Sequence, residues 1–198
     1  MKLQDVATIR TGVVTSRKKV TYIEYSEYKY KLLTLRCISP LGYLDLQHAE
    51  EFYASEELKA EYLTQRNDIL VRLSAPYTAV LITKDEWCGC LVPSHFAIIR
   101  CDENRVLPEY ILWFLRRETT KQSILLNISG SGAFGTINSG FFNLLTIRDL
   151  PLEKQFIIGQ MQVLSEREQE LLHKLAHQKE IYNRLLVNRI YDSVKRSN

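Results

Sequence analysis

Three groups of residues have types and spacings that could do chemistry. Gly130-x-Gly132-x-x-Gly135 matches the glycine fingerprint of dinucleotide sites. In such sites a strand leads into the glycines, a helix opens inside them, and an acidic residue about 20 positions later holds the ribose. Here the residues before the glycines read as helix, Thr136-Ile137-Asn138 follow, and the nearest acid is Asp149. The glycines read better as a sharp turn or a close backbone approach. Asp45, Glu57 and Lys59 form the acid–acid–lysine set with which a metal-dependent nuclease holds Mg²⁺ and orients a water. However, Glu50, Glu51, Glu56, Glu57 and Glu61 crowd one stretch, which reads as a solvated helix face or loop. His95 with Cys88 or Cys90 could pair a base with a thiol, but no orienting group or oxyanion donor accompanies them. Cys88 and Cys90 are closer together than zinc ligands usually stand. No P-loop, nucleophile elbow or methyltransferase tetrapeptide occurs. The chain reads as a binder, with no catalytic residues, metal or cofactor of its own.

The residues suited to binding fall in loops. Arg17, Lys18 and Lys19 follow Gly12 in a polar stretch, and adjacent cations on a loop suit phosphate contact. A merely solvated loop accounts for them equally well. The segment from Arg72 to Tyr77 lies between two expected strands. Arg72 offers a guanidinium that can bind guanine bidentately, and Ser74 and Tyr77 offer hydroxyls for base edges. Ser94 and His95, at the start of another strand, and Ser131 and Phe134, in the glycine loop, are further candidates. Arg116, Arg117 and Lys121 form a third basic group whose spacing suits an exposed helix end.

Elements that could position these loops follow from periodicity. Short apolar or β-branched runs bounded by Pro, Gly, Asp or Asn predict strands at 6–11, 30–37, 68–73, 78–83 and 96–100. Strands this short and this evenly spaced predict a compact, curled β-sheet rather than a βαβ series. Pro108 suits the first position of a helix, where its missing N–H costs nothing. The class is therefore α+β, with a β-rich domain over residues 1–150 and an appended element over 151–198. A length of 198 residues, 45% hydrophobic and 25% charged, fits that plan. The net charge of +3 is too small to identify a partner, so any positive potential must be local. Four cysteines without framework spacing, no leader and no apolar run near 18 residues predict a soluble, cytoplasmic protein with reduced thiols.

The last segment changes character. From about 153 to 194 there is no proline and one glycine, Gly159, and apolar residues recur in steps of three, four and seven. That spacing predicts one amphipathic helix of about 40 residues and about 60 Å. It is too long for one small domain to cover, so its apolar stripe predicts a partner helix. Leu164, Leu171, Leu175, Tyr182 and Leu185 are the expected dimerisation residues, while Glu168 and Gln178 interrupt the coiled-coil seam and would fix its register. The alternative is a helix folded back on its own domain.

Read in order, these pieces resemble the target-recognition half of a type I restriction-modification specificity subunit. The resemblance begins with the opening strand and glycine, Leu3 to Gly12, and continues through Arg66-Asn67-Asp68-Ile69-Leu70-Val71 and the helix that starts at Leu107-Pro108-Glu109-Tyr110. Its most specific stretch is the glycine loop, Thr136-Ile137-Asn138, the patch to Ile147, and Leu150-Pro151-Leu152-Glu153-Lys154-Gln155 leading into the long helix. Two departures stand out. Asn67 occupies the place of a usual glycine, which predicts a left-handed asparagine, and Arg148-Asp149 lengthens the approach to Pro151. The resemblance implies a non-catalytic reader of double-stranded DNA that docks methyltransferase and endonuclease subunits. S-adenosylmethionine, Mg²⁺ and ATP would belong to those partners. Full specificity subunits carry two reading domains and two long helices packed antiparallel. One domain and one helix therefore imply a homodimer reading an interrupted palindrome. The competing readings are an adaptor of the same fold that binds the methyltransferase without reading DNA, and a nuclease using Asp45, Glu57 and Lys59.

Overall fold

Period-two alternation of buried residues organises the domain. In the structure, a computed structural model describing residues 1–20, 27–40, 42–129 and 135–196, six strands form: β1 (Ala7–Thr11), β2 (Tyr28–Leu32), β3 (Glu50–Ala54), β4 (Ile69–Arg72), β5 (Ala79–Leu81) and β6 (Phe96–Cys101). Four of them make an antiparallel sheet in the order β1-β6-β4-β5, and β2 pairs with β3 in a separate antiparallel ribbon. Ile69, Val71, Ala79, Leu81, Ala97 and Ile99 point to one face of the large sheet, into a core shared with helices α1 (Pro108–Arg116), α2 (Glu118–Leu126) and α3 (Gly140–Leu144). Leu70, Val80, Phe96 and Ile98 point to the other face, against Leu33, Ile38, Leu44 and Val92. Burial on both faces explains why these strands read as continuous apolar runs. A third cluster, Val13, Phe52, Ala54, Leu58 and Leu91, packs beneath the β2–β3 ribbon.

Three local readings change. The stretch 30–37 is not one strand. β2 ends at Leu32, and Leu35–Cys37 forms a 3-10 turn capped by Thr34, whose Oγ1 accepts from the Arg36 N–H and donates to the His48 carbonyl. The glutamate-rich stretch begins with strand β3 rather than a solvated helix or loop, because Phe52 and Ala54 alternate inward while Tyr53 and Glu51 face Lys29 on β2. The basic group after Pro108 is divided. Arg117 breaks the helix with an extended ψ of 141° and lies over the Trp113 ring. Arg116 turns inward and donates to the carbonyls of Ala79, at 2.6 Å, and Gly42, at 3.1 Å. Ala79 belongs to the outermost strand of the sheet, so Arg116 covers an edge carbonyl that would otherwise invite strand addition.

The turn into β4 depends on two neighbours. Asn67 has φ 69°, the left-handed conformation expected where an asparagine replaces glycine, and its amide nitrogen lies 2.9 Å from both Glu103 carboxylate oxygens. Asp68 is fully buried. Its carboxylate accepts from the Gln65 N–H at 2.7 Å and takes a two-point contact from Arg100 at 2.7 and 2.8 Å. Those bonds hold the Arg100 guanidinium above its ordinary pKa, with Asp68 as the main cause. The pair ties the turn before β4 to the neighbouring inner strand, β6.

The C-terminal helix α4 runs Leu152–Arg196, and its first turns belong to the domain. Gln155 is fully buried: its Oε1 accepts from the Leu107 N–H at 2.9 Å, and its Nε2 donates to Leu150 and Arg105 carbonyls at 2.8 and 3.3 Å. The Leu107 N–H lies at the start of α1, where helices leave donors without partners, so one glutamine closes the end of α1 and fixes the root of α4. Gly159 then permits close approach: a Cβ there would lie 2.6 Å from the Glu109 Cβ. The chain divides into two compact units, Met1–Gly159 and Gln160–Asn198. Within the second unit, the side chains of 171–192 are exposed, and i,i+3 and i,i+4 ion pairs join Glu170 to Arg167 and Lys174 and Glu180 to Arg184. No helix among the described residues is long and apolar enough to cross a membrane.

Asp68→Ala should lower the unfolding free energy by about 3 kcal/mol, because it strips a half-buried guanidinium and a backbone N–H of their acceptor. Asp45→Ala, which removes an exposed cap of a 3-10 turn, should cost about 1 kcal/mol or less. Urea denaturation followed by circular dichroism measures both, and equal effects would contradict the role given to Asp68.

Candidate nucleic-acid interface

Antiparallel order fixes which loops can act together. β1 and β4 end where β5 and β6 begin, so the segments after Thr11, after Arg72 and before Phe96 emerge at one end of the sheet. The backbone ties them together there. Gly12 donates to the Phe96 carbonyl and Ser94 to the Val13 carbonyl, at 3.0 and 2.8 Å, and Leu73 donates to the His95 carbonyl at 2.9 Å. Gly12 is required by this crowding, since a Cβ would meet the Val92 and Pro93 carbonyl oxygens at 2.4 and 2.3 Å. A fourth segment joins them: Ile137 donates to the Leu73 carbonyl at 2.9 Å, and Thr136 bridges both Ser74 and Ser129.

The basic triplet follows Val13 and is tied to β3, whose Phe52 and Ala54 pack with Val13. The Lys18 carbonyl accepts from the Ser55 N–H at 2.9 Å, and Lys19 bridges Ala54. Lys18 pairs with Glu56. Arg17 and Lys19 are exposed and make no ion pair with another described residue, so they are the cations here with the freest charge. The opposite end of the sheet carries Asp85, Asp102 and Glu103 around Arg66 and Asn67. A near-neutral chain meets a polyanion through local charge, and Arg17 and Lys19 are exposed cations close to these loops.

The expected base-edge residues occupy distinct positions. Arg72 Nη2 donates to the Ala75 carbonyl at 2.9 Å and Nη1 to the Ile38 carbonyl at 3.4 Å, while Nε is buried without a partner. Burial also lowers its pKa. In this arrangement the guanidinium shapes the loop that follows β4. Ser74 is half-buried beside Thr136, Ser94 is half-buried, and His95 is exposed. Tyr77 has φ 55° and donates its hydroxyl to the Gly135 carbonyl at 2.8 Å. Ser131 and Phe134 lie outside the described residues.

The structure adds residues that periodicity did not single out. Gly135 and Ile137 are buried while Thr136 and Asn138 are exposed, so this short extended segment alternates and turns two polar side chains outward. Its far end is held by a 2.6 Å contact between the hydroxyls of Ser139 and Thr11. The segment therefore reaches from the β4–β5 loop to the end of β1. Periodicity offered only polar–apolar–polar over three residues, too short for an alternation to be read, although Thr136-Ile137-Asn138 formed part of the family resemblance.

One member of the acid–acid–lysine set has a structural task. Asp45 Oδ1 caps the turn Leu46–His48, accepting from the Gln47 N–H at 2.9 Å. Among the described residues no three His, Cys, Asp or Glu side chains converge as a metal would require. All four cysteines are free thiols. Burial raises the pKa of Cys90 and pushes Cys101 to about 12, which disfavours the thiolate a nucleophile needs. On the long helix, Leu164, Leu171, Leu175, Tyr182 and Leu185 are each between 48% and 66% exposed in the single chain.

No known family profile matches this sequence, and no curated protein matches it. Solved structures do. One, reported under "Structural basis underlying complex assembly and conformational transition of the type I R-M system", superposes with a TM-score of 0.65 at 14% identity over 91% of this chain and 45% of its own. The HsdS subunit from Thermoanaerobacter tengcongensis gives 0.61 at 15% identity, over 86% of this chain and 43% of its own. The type I restriction-modification S subunit from M. genitalium gives 0.52 at 12% identity, over 86% and 40%. The chain thus spans less than half the length of the structures it matches. What it shares with the specificity subunits of type I restriction-modification systems is their α+β fold, with antiparallel sheets and a long C-terminal helix.

Proposed function

We propose that this chain is a non-catalytic DNA sequence-specificity subunit of a type I restriction-modification system, working in the cytoplasm. It pairs with a second copy through its long helix, reads an interrupted palindromic site in double-stranded DNA, and docks methyltransferase and endonuclease subunits. S-adenosylmethionine, Mg²⁺ and ATP belong to those partners. The observation that carries the reading is the convergence of residues 12–13, 73–78, 94–95 and 135–139 at one sheet end, with Arg17 and Lys19 exposed on the segment that follows Val13. Loop cations supply phosphate contacts and register, and Ser74, His95, Thr136 and Asn138 supply donors and acceptors for base edges. Pairing is supported by the exposure of the helix stripe, since leucines repeated at threes and fours lower their free energy by burial against a like surface. A twofold pair reads two half-sites of the same sequence in opposite orientations.

Duplex binding should weaken linearly in log affinity with log salt and should differ between oligonucleotides of different sequence. Replacing both Arg17 and Lys19 by Gln should weaken binding on every sequence and reduce the salt slope by about 1.8, at about 0.9 for each phosphate left without its cation. Binding to the methyltransferase that is insensitive to salt, without any DNA binding, would instead identify the adaptor. Leu175→Asp should convert a dimer to a monomer in light scattering at micromolar concentration, because the carboxylate would be buried without a partner. A wild-type monomer, both alone and with its methyltransferase, would contradict the paired reader.

A further inference from the structure

Tyr77 sits where the sequence places a base-edge reader, but its geometry turns it toward the protein. Its ring packs against the core beneath the sheet, and its hydroxyl proton is donated to the Gly135 carbonyl at 2.8 Å. Its φ of 55° lies in the left-handed region, where a bulky L-residue is disfavoured and persists only if its surroundings over-determine it. Glycine or asparagine would meet the backbone requirement with less strain, so the ring and hydroxyl are the reason for this residue. The partner carbonyl is equally well placed. Gly135 is buried, and the next residue, Thr136, is anchored by two backbone hydrogen bonds with Ser129, at 2.8 and 3.0 Å. Ser74, three residues before Tyr77, bridges the same Thr136.

We propose that Tyr77 is a positioning residue: its hydroxyl latches the 135–139 segment onto the β4–β5 loop, so that Thr136 and Asn138 stand with Ser74 on one surface for a duplex. This rests on the DNA-reading role proposed above. Ile137 and Thr136 already meet Leu73 and Ser74 through the backbone, and the latch adds a side-chain tie at Gly135. Any looseness left there would have to be ordered on binding, and the affinity for the correct sequence would fall with the fraction of time the segments were aligned. Contacts to phosphates made by Arg17 and Lys19 would not depend on that alignment. The latch therefore sets discrimination between sequences and leaves the general attraction to DNA unchanged.

Hydrogen exchange on the intact chain tests the latch without DNA. Tyr77→Phe removes only the hydroxyl, and exchange at the Ser129 and Thr136 amides should quicken about fivefold, the equivalent of one net hydrogen bond. The amides of β4 and β6 should be unchanged. Unaltered exchange at Ser129 and Thr136 overturns the latch. The second arm uses the duplex the wild type prefers and a scrambled duplex. Tyr77→Ala, with β4 and β6 protection checked as intact, should lower the ratio of the two affinities about tenfold and leave the salt slope as it was. An unchanged ratio overturns the role in discrimination even where the exchange result holds. A wild type with no preference among duplexes overturns the reading function itself, whatever the exchange shows. Should Tyr77→Ala lose protection in the sheet, the same ratio measured on Tyr77→Phe decides, with any significant fall supporting the latch and none overturning it.

Discussion

Burial of the four-stranded sheet on both faces is the constraint from which the rest follows. One face packs on α1, α2 and α3 and the other on the segments around Leu33, Ile38 and Leu44. A sheet enclosed in this way offers neither face to a ligand, and one of its edges is covered at Ala79 by Arg116. One end of the sheet gathers the candidate loops. Because all four strands are antiparallel, that end collects segments that are far apart in the sequence, from Gly12 to Ser139, and backbone hydrogen bonds lock them into one array. The rigid part of the molecule thus carries the folding energy, and the loops are free to carry polar side chains chosen for contact.

The same logic explains the start of the long helix. Gln155 is polar and fully buried, and it is tolerated because its amide satisfies one backbone donor and two acceptors. Gly159 lets the helix lie close on Glu109. These two residues fix the first turns of α4 to α1 within the domain. Beyond them, in the second unit, the helix has charged pairs along it and exposed leucines that no part of its own unit covers. An element built this way is readily held as a helix and unfavourable to leave alone in water.

Much of this was legible in the residues. The strand positions that became β1, β4, β5 and β6 were marked by apolar runs with turn punctuation, Pro108 marked the start of α1, and threes and fours marked α4. Asn67 announced a left-handed turn, and the backbone has one. Strand β3 was hidden because only Phe52 and Ala54 face inward, and five glutamates between 50 and 61 dominate its composition. Its strand character comes from pairing with β2, which a local window does not contain. Arg116 looked like a surface cation because its acceptors, the carbonyls of Ala79 and Gly42, are 37 and 74 residues away in the chain. The grouping of the loops was equally invisible, since it depends on strand order. Residue type could nominate Ser74, Tyr77 and His95, but only topology brings them to one end.

Selection of duplexes from a randomised library by the purified chain tests the central claim most directly, with sequencing of what is retained. A paired reader predicts enrichment of a site whose two halves are inverted copies separated by an unread gap of fixed length. Retention without any sequence preference, or enrichment of a single uninterrupted half-site, would contradict the account.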